Sequence, residues 1–189
     1  MVAINSIEEA AERISKASRI MVVGSSGGGK TTLSSQIAKR LGLTHISMDK
    51  EFFWLPGWVP RERAEQRQMI SEFIQNDRWI MDGSNPSSFD LRLPRTDFII
   101  WVRISRLICI WSVLKRVAKS YGKTRPDMAT GCVEQWPDRE FLSYIWNFEK
   151  HHAPIFLRNF ELYGPHVPIF QVKSRAQASQ LLDLVRAAH

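Results

Sequence analysis

A glycine-rich stretch between an apolar segment and an amphipathic segment constrains the fold of this chain more than any other feature. The apolar residues 20–23 run directly into Gly24, which is typical of a strand buried on both faces of a parallel sheet. After the stretch 24–31, apolar residues repeat at helical spacing up to Gly42, a residue that can end a helix. The sequence therefore predicts a strand, a glycine loop and a helix in direct succession.

The stretch 24–31 fits the pattern G-x-x-x-x-G-K-[ST] in full. Backbone N–H groups in such a loop, at the positive end of a helix, hold phosphate oxygens without a side-chain receptor. Lys30 adds charge for the β- and γ-phosphates, the Thr31 hydroxyl is a ligand for Mg²⁺, and Thr32 can contact the α-phosphate. We therefore expect a phosphate-binding loop (P-loop) for ATP and Mg²⁺, formed by Gly24, Ser25, Gly27, Gly28, Gly29, Lys30, Thr31 and Thr32. The alternative is a flexible glycine turn that precedes a lysine by chance.

Strands and helices alternate along the rest of the chain. Apolar patterns predict further strands over 43–48, 79–81, 98–102 and 168–172, and helices over 6–17, 61–75, 105–120, from 138 with a break or restart at Pro154, and 176–187. Such alternation implies right-handed crossovers and a parallel sheet covered on both faces. We therefore expect a single α/β domain over residues 1–189.

Two segments of the second half carry specific expectations. In the helix 105–120, one buried face is predicted from the spacing of Leu107, Ile110, Trp111, Leu114 and Val117. Residues 121–137 contain two glycines, two prolines and no apolar period, so this insert is expected to be structureless, as lids and disordered segments are.

Composition narrows the class of protein. The 26 Lys and Arg residues exceed the 19 Asp and Glu residues, and the net charge of +7 favours an anionic partner: a nucleotide, a nucleic acid or a lipid surface. The two cysteines form no disulfide framework, and Cys109 is expected in the core and Cys132 at the surface. No segment is typical of a membrane span or a secretory signal, so a cytoplasmic location without membrane contact is expected.

Two aspartates follow predicted strands at the edge where the P-loop lies. Asp82 ends the strand 79–81, which is the position of a Mg²⁺ partner in P-loop proteins, although a turn or helix cap is the alternative. Asp97 is the competing carboxylate, but it precedes its strand and is expected at the opposite edge. Asp49 follows the strand 43–48, where a carboxylate can accept the proton of an attacking hydroxyl or, alternatively, form a cap or an ion pair beside Lys50.

Basic residues are concentrated at the end of the helix 105–120 and in the insert. Arginines delivered by a closing lid stabilise the charge of a migrating phosphoryl group and exclude water, and Arg116 and Arg125 are the first candidates. The alternative for about half of this set is a solvated helix face. The set consists of Lys115, Arg116, Lys119, Lys123, Arg125 and Arg139.

These residues resemble a known family. The resemblance rests on the P-loop, the aromatic segment that follows Asp49, the stretch 79–83 and, above all, Lys123-Thr124-Arg125-Pro126-Asp127-Met128 with Gly131-Cys132. In these segments the chain resembles the adenylate-kinase-related proteins labelled DNA topology modulation protein. The resemblance implies a three-layer P-loop NTPase fold with a five-stranded parallel sheet in the order 2-3-1-4-5, a lid around residues 121–137, and Arg116 and Arg125 as lid arginines. Residues 49–76 are then the acceptor-binding region.

The chain departs from adenylate kinases at the segment 82–86. Adenylate kinases have Asp-Gly-Phe-Pro-Arg where this chain has Asp82-Gly83-Ser84-Asn85-Pro86, so the arginine that clamps a monophosphate is missing there. Arg92 or Arg95 is a possible substitute. An aspartate at the position of Asp49 is more similar to kinases whose acceptor is a hydroxyl, which weakens the case for AMP.

The sequence thus supports an ATP- and Mg²⁺-dependent kinase of a small acceptor, a nucleoside, a nucleotide or a similar metabolite, with Lys30, Asp49, Arg116 and Arg125 as catalytic residues and Thr31 and Asp82 as metal ligands. The rival hypothesis is a protein in which ATP orders the lid and the basic surface binds nucleic acid. A regulatory ATPase switch without an acceptor is a third hypothesis.

Overall fold

A computed structural model of the chain describes residues 2–186. The strands are β1 (Val2–Ile4), β2 (Arg19–Gly24), β3 (Thr44–Ser47), β4 (Trp54–Leu55), β5 (Val59–Pro60), β6 (Trp79–Asp82), β7 (Phe98–Val102) and β8 (Pro168–Val172). The α-helices are α1 (Ile7–Lys16), α2 (Lys30–Leu41), α3 (Arg63–Phe73), α4 (Phe89–Arg92), α5 (Arg106–Ser120), α6 (Arg139–His151), α7 (Ala153–Tyr163) and α8 (Arg175–Leu184). The predicted end of the last helix, residue 187, lies outside the described residues.

The described strands form a six-stranded parallel sheet in the order β1-β8-β7-β2-β6-β3, and β4 and β5 pair as a separate antiparallel hairpin. The prediction of five strands in the order 2-3-1-4-5 was therefore wrong in its count, and the order gains a sixth member, β1, outside β8. Strand β1 has only three residues, two of them exposed, so it has no periodicity to detect. It exists because its register with β8, from Val2 opposite Pro168 to Ile4 opposite Phe170, covers an otherwise free edge.

Helices cover both faces of the sheet, which confirms the three-layer α/β architecture. Alternate residues of β2 point to opposite faces: Ile20 and Val22 belong to a core with α1, α2, α5 and α8, whereas Met21 and Val23 belong to a core with α3, α4 and α7. Because β2, β6 and β7 are buried on both faces, they are apolar almost throughout, and this is the signal that made them predictable.

The buried face of α5 agrees with the predicted one only in part. Val117 is buried and Ile110 and Leu114 are half-buried, as predicted, but Leu107 and Trp111 are exposed, and Cys109 and Val113 are buried instead. The side of α5 that carries Cys109 and Val113 faces the P-loop, since a Cβ atom on Gly27 would lie 2.2 Å from the carbonyl oxygen of Cys109 and 3.0 Å from Cγ2 of Val113. This contact with the loop turns Leu107 and Trp111 outward.

The insert 121–137 contains no helix and only an isolated antiparallel bridge between Thr124 and Val133, but it is not structureless. Its two arms are joined by the N–H of Gly122 donating to the carbonyl of Glu134 (3.0 Å) and by the N–H of Glu134 donating to the carbonyl of Lys123 (2.9 Å). Hydrogen bonds between its arms therefore replace the apolar periodicity that the sequence lacks.

The insert also packs on the hairpin β4–β5. The indole N–H of Trp58 donates to the carbonyl of Val133 (2.7 Å), and the thiol of Cys132 donates to the carbonyl of Leu55 (3.3 Å). Cys132 is consequently buried, and its predicted exposure was wrong.

Among the described helices, none combines the length and apolar character that crossing a membrane requires.

We predict that Gly24→Ala lowers the free energy of unfolding by about 3 kcal/mol. Gly24 has φ +142°, and a Cβ atom there would lie 2.1 Å from the carbonyl oxygen of Val102 in β7. Gly42→Ala is the control, because its φ of +62° is also positive but no atom lies within 4 Å of the added Cβ; about 1 kcal/mol is expected there. Urea denaturation measures both, and equal losses would contradict the steric argument.

Candidate active site

The main cavity lies at the carboxyl edge of the sheet and has a volume of about 250 Å³. It runs from the end of β3, across the P-loop after β2, to the start of α8 after β8. Open α/β sheets bind ligands at this edge. The lining residues are Ser26, Gly27, Gly29, Lys30, Thr31, Thr32, Ser47, Asp49, Asp82, Ser112, Arg116, Arg125, Asp127, Met128 and Arg175.

The structure thus brings most of the predicted site residues to one cavity. Gly24, Ser25 and Gly28 do not line it but lie buried behind the loop. Gly28 is confined there, since an added Cβ would lie 3.1 Å from Cγ1 of Val102 and 3.2 Å from the carbonyl oxygen of Ser25. Glycines at these positions let the loop backbone pack against β7 and α5, which turns the rest of the loop toward the cavity.

The loop has the features of an anion cradle. Gly29 precedes α2 in the left-handed conformation (φ +87°), makes no side-chain cap, and would place a Cβ in open space. The first N–H groups of α2 are therefore not capped by a side chain of that residue, at the positive end of the helix dipole. Uncapped donors at this end of a helix fit the phosphates of a nucleotide.

Lys30 extends along the loop, and its ammonium group donates to the carbonyl of Ser25 (2.9 Å). Desolvation by the surrounding protein lowers the pKa of Lys30, while the carboxylates of Asp49 and Asp82 oppose this shift. A lysine so poorly solvated gains from an anion that enters the cavity.

Asp82 is held by three side chains. Its Oδ1 accepts from the hydroxyl of Thr31 (3.1 Å), and its Oδ2 lies 2.9 Å from the hydroxyl of Ser34 and 2.7 Å from Nε2 of His45. Of the two neutral forms of the imidazole, only the one with its proton on Nε2 donates a hydrogen bond to this oxygen. The predicted pair Thr31 and Asp82 is therefore in direct contact, as shared Mg²⁺ coordination requires.

Asp49 follows β3 at the first position of a π-helical turn, Asp49–Phe53, and its side chain is exposed to the cavity. Desolvation by the protein around it raises the pKa of Asp49, and the nearby Asp82 adds to the shift, whereas Lys30, Arg125 and Arg116 oppose it. A carboxylate that faces a cavity with a raised pKa is suited to accept a proton.

The two predicted lid arginines share a buried carboxylate that the sequence did not reveal. Oε2 of Glu134 lies 2.5 Å from Nε of Arg125, and Oε1 lies 3.5 Å from Nη2 of Arg116. Arg125 also contacts Asp127 (2.8 Å), whereas Nε of Arg116 is buried without a partner. Arg116 therefore keeps more of its hydrogen-bonding capacity for a ligand than Arg125 does.

Several other residues at the site were missed. Glu134, Ser34 and His45 lie on three separate elements, and nothing in their local spacing predicts that they meet Arg125 or Asp82. Ser112 and Arg175, which contact each other (2.5 Å), line the end of the cavity farthest from β3. A basic residue three positions after the last strand was the one available signal for Arg175.

The two arginines considered as monophosphate clamps are directed elsewhere. Arg92 is fully buried and donates to Gly83, Asn85 and Ser88, and burial lowers its pKa to about 9. Arg95 donates to the carbonyl of Ile74. Neither lines the cavity. Asp97 does lie at the opposite edge, where it accepts from the backbone N–H and guanidinium of Arg19.

The chain has an α/β three-layer fold like that of P-loop kinases. The chain is similar to shikimate kinase from Acinetobacter baumannii, solved with shikimate, at a TM-score of 0.58 and 13% identity over 93% of this chain and 96% of that one. Shikimate kinase from Bacteroides thetaiotaomicron gives 0.53 and 19% over 88% and 95%. Deoxyadenosine kinase from M. mycoides, with dCMP and dCDP, gives 0.50 and 15% over 88% and 95%. Identities this low establish a common fold.

Sequence comparison adds less. No family model matches the chain. An uncharacterized protein of Bacillus subtilis (strain 168), YqaC, is 29% identical over 105 residues, which are 54% of this chain and 58% of the relative's length, less than two thirds. The resemblance to the DNA topology modulation proteins is not confirmed by these comparisons, and neither is an adenylate-kinase-like type.

We predict that Glu134→Ala lowers the free energy of unfolding by about 3 kcal/mol, because it leaves two arginines without their buried counter-charge. Asp127→Asn is the matched control, since the Asp127 side chain is 40% exposed and its ion pair with Arg125 contributes less than about 1 kcal/mol. Guanidinium denaturation at neutral pH measures both. A small loss for Glu134→Ala, no larger than that of the control, would show that Glu134 does not organise the insert.

Proposed function

We propose that this protein is a kinase that transfers the γ-phosphoryl group of ATP, with Mg²⁺, to the hydroxyl of a small acceptor. One observation carries the proposal: the phosphate cradle with Lys30, the contact of Thr31 with Asp82, and the cavity-facing Asp49 all open into the same cavity. Phosphoryl transfer requires this combination of anion binding, metal coordination and a proton acceptor. The P-loop kinase fold supports the same class of reaction.

The topology orients the two substrates. The P-loop lies in the middle of the cavity, so the triphosphate is placed there, held by backbone N–H groups and Lys30. The nucleoside of ATP then extends toward Ser112 and Arg175 on the side of β8, which leaves the side of β3, with Asp49, for the acceptor. Residues 49–76 remain our proposed acceptor-binding region, and the insert 121–137 the proposed lid.

Thr31 and Asp82 would hold Mg²⁺. Bound there, the ion supplies positive charge to the β- and γ-phosphate oxygens. Ser34 and His45 occupy Oδ2 of Asp82, so Oδ1, on the side of Thr31, is the oxygen left for the metal or its water. Outer partners of this kind orient a metal ligand.

At the acceptor end, Asp49 accepts the proton of the attacking hydroxyl. The acceptor oxygen forms a bond to the γ-phosphorus, the bond from that phosphorus to the β,γ-bridging oxygen breaks with its electron pair going to ADP, and the proton passes to the Asp49 carboxylate. Arg116, whose Nε has no partner, stabilises the charge spread over the equatorial oxygens. Arg125 positions Asp127 and Glu134 beside it and closes the cavity against water.

The rival hypothesis of ATP-dependent nucleic-acid binding gains nothing from the comparisons, whose solved structures are described as kinases. We therefore propose only the kinase activity.

We predict that Lys30→Ala abolishes phosphoryl transfer, and that Asp49→Asn lowers kcat by about 100-fold or more while the affinity for ATP changes little. Transfer from γ-labelled ATP measures the first effect, and calorimetry with Mg·ADP measures nucleotide affinity. Loss of ADP binding in Asp49→Asn would contradict the assigned role.

Because the pKa of Asp49 is raised, kcat/KM of the natural protein should fall as the pH decreases, and this fall should begin at a higher pH than the one at which an ordinary aspartate is protonated.

We predict that His45→Ala raises the Mg²⁺ concentration needed for half-maximal activity by about tenfold, with little change in the affinity for metal-free ADP. The reason is the lost N–H donor on Oδ2 of Asp82. His45→Gln is the control, since its amide N–H can restore part of this hydrogen bond and with it part of the Mg²⁺ affinity. An equal loss of ADP affinity without metal would instead indicate general damage to the loop.

A further inference from the structure

The side chains around the acceptor end of the cavity bear on the chemical class of the acceptor, an inference that rests on the proposed function. Kinases of phosphorylated or carboxylated acceptors need a cation that clamps the second anion. The segment 49–95 contributes Asp49 and Asp82 to the cavity, and its lysines and arginines are the candidates for such a clamp.

Arg92 is the most buried of them and is fully engaged. Its guanidinium donates to the carbonyls of Gly83 (3.1 Å) and Asn85 (2.8 Å) and to the hydroxyl of Ser88 (3.0 Å). It also lies 5.0 Å from the ring centroid of Phe89. Arg92 thus holds the loop after β6 from beneath and offers no donor to a ligand.

Arg61 and Arg67 are paired in the same region. Arg67 makes two hydrogen bonds to the carboxylate of Asp90 (3.0 and 2.6 Å) and one to the carbonyl of Ser87 (2.6 Å). Arg61 pairs with Glu65 and donates to the carbonyl of Phe52 (3.1 Å). These arginines fasten α3 to its neighbours.

The remaining basic residues of the segment point away from the cavity or to backbone. Arg95 and Arg78 donate to the carbonyls of Ile74 (3.3 Å) and Leu41 (2.8 Å). Lys50 and Arg63 are exposed. Within the described residues, no lysine or arginine of the segment 49–95 lines the cavity.

The charged side chains that line the acceptor end are Asp49 and the ion-paired Arg125 and Asp127. Arg125 is also paired with Glu134. The other basic residues that line the cavity are Lys30 and Arg116, which we assign to the triphosphate, and Arg175, which lies at the opposite end. Among the described residues that line the acceptor end, a second anion would therefore meet the carboxylate of Asp49 and no unpaired lysine or arginine, an arrangement that discriminates by repulsion.

We infer that the acceptor is an uncharged hydroxyl compound, of the nucleoside or polyol class, and that phosphate monoesters and carboxylates are excluded. Apart from the exposed Arg63, the arginines of the segment 49–95 are engaged with backbone carbonyls and carboxylates, so none of them is left to bind a second anion. Specificity then follows from the lack of a cation for that anion as much as from attraction to the preferred acceptor.

Two measurements on the full chain test the inference and the proposed function separately. The first follows transfer from γ-labelled ATP to matched pairs that keep a primary hydroxyl, each nucleoside beside its 3′-monophosphate and glycerol beside glycerol 3-phosphate. We expect the uncharged member of a pair to have the higher kcat/KM by at least about tenfold. A preference for the anionic member overturns the inference and leaves the kinase standing, whereas phosphate release to water alone overturns the proposed function.

The second measurement needs no knowledge of the acceptor. Inorganic phosphate is titrated calorimetrically into the protein saturated with Mg²⁺ and a non-hydrolysable ATP analogue, which fills the γ-phosphate position, with Arg63→Ala as the companion variant. We expect no saturable phosphate binding to either protein at millimolar concentrations. Saturable binding to the natural protein overturns the inference, and its loss in Arg63→Ala would identify that exposed arginine as the clamp. Failure of the analogue itself to bind would instead overturn the nucleotide site.

Discussion

The close packing of the P-loop against β7 and α5 is the constraint on which the rest of the site depends. At Gly24 and Gly27 an added Cβ atom would lie 2.1 and 2.2 Å from backbone carbonyl oxygens of β7 and α5, so only glycine fits at these two positions. This approach fixes the height of the loop above the sheet and the rotation of α5. The rotation in turn places Ser112 and Arg116 at the cavity and leaves Leu107 and Trp111 outside.

Charge is handled differently at the two ends of the cavity. Around the P-loop, Lys30 and Arg116 are poorly solvated and incompletely partnered, which makes anion binding favourable. In the segment 49–95, arginines fasten α3 and the loop after β6. Hydrogen-bond partners, and not composition, therefore decide which charges a ligand meets.

The sequence predicted the parts whose signal is local. The strands β2, β6 and β7 are apolar because helices cover both faces of the sheet, and the caps at Ser6 and Asp138 mark the starts of α1 and α6. The insert was expected to lack structure, since its order comes from hydrogen bonds between its arms and from the hairpin β4–β5. Strand β1 was missed because three residues are too few for a period.

The motif from Gly24 to Thr31 by itself determined a strand, a glycine loop and a helix in direct succession in an α/β fold, because the glycine positions that set the backbone geometry are consecutive in the sequence. The tertiary structure decided which distant groups share the cavity. Thr31 meets Asp82, Glu134 lies between Arg116 and Arg125, and Arg92 turns inward. These are contacts between residues far apart in the chain, and only the packing of helices on the sheet brings them within hydrogen-bonding distance.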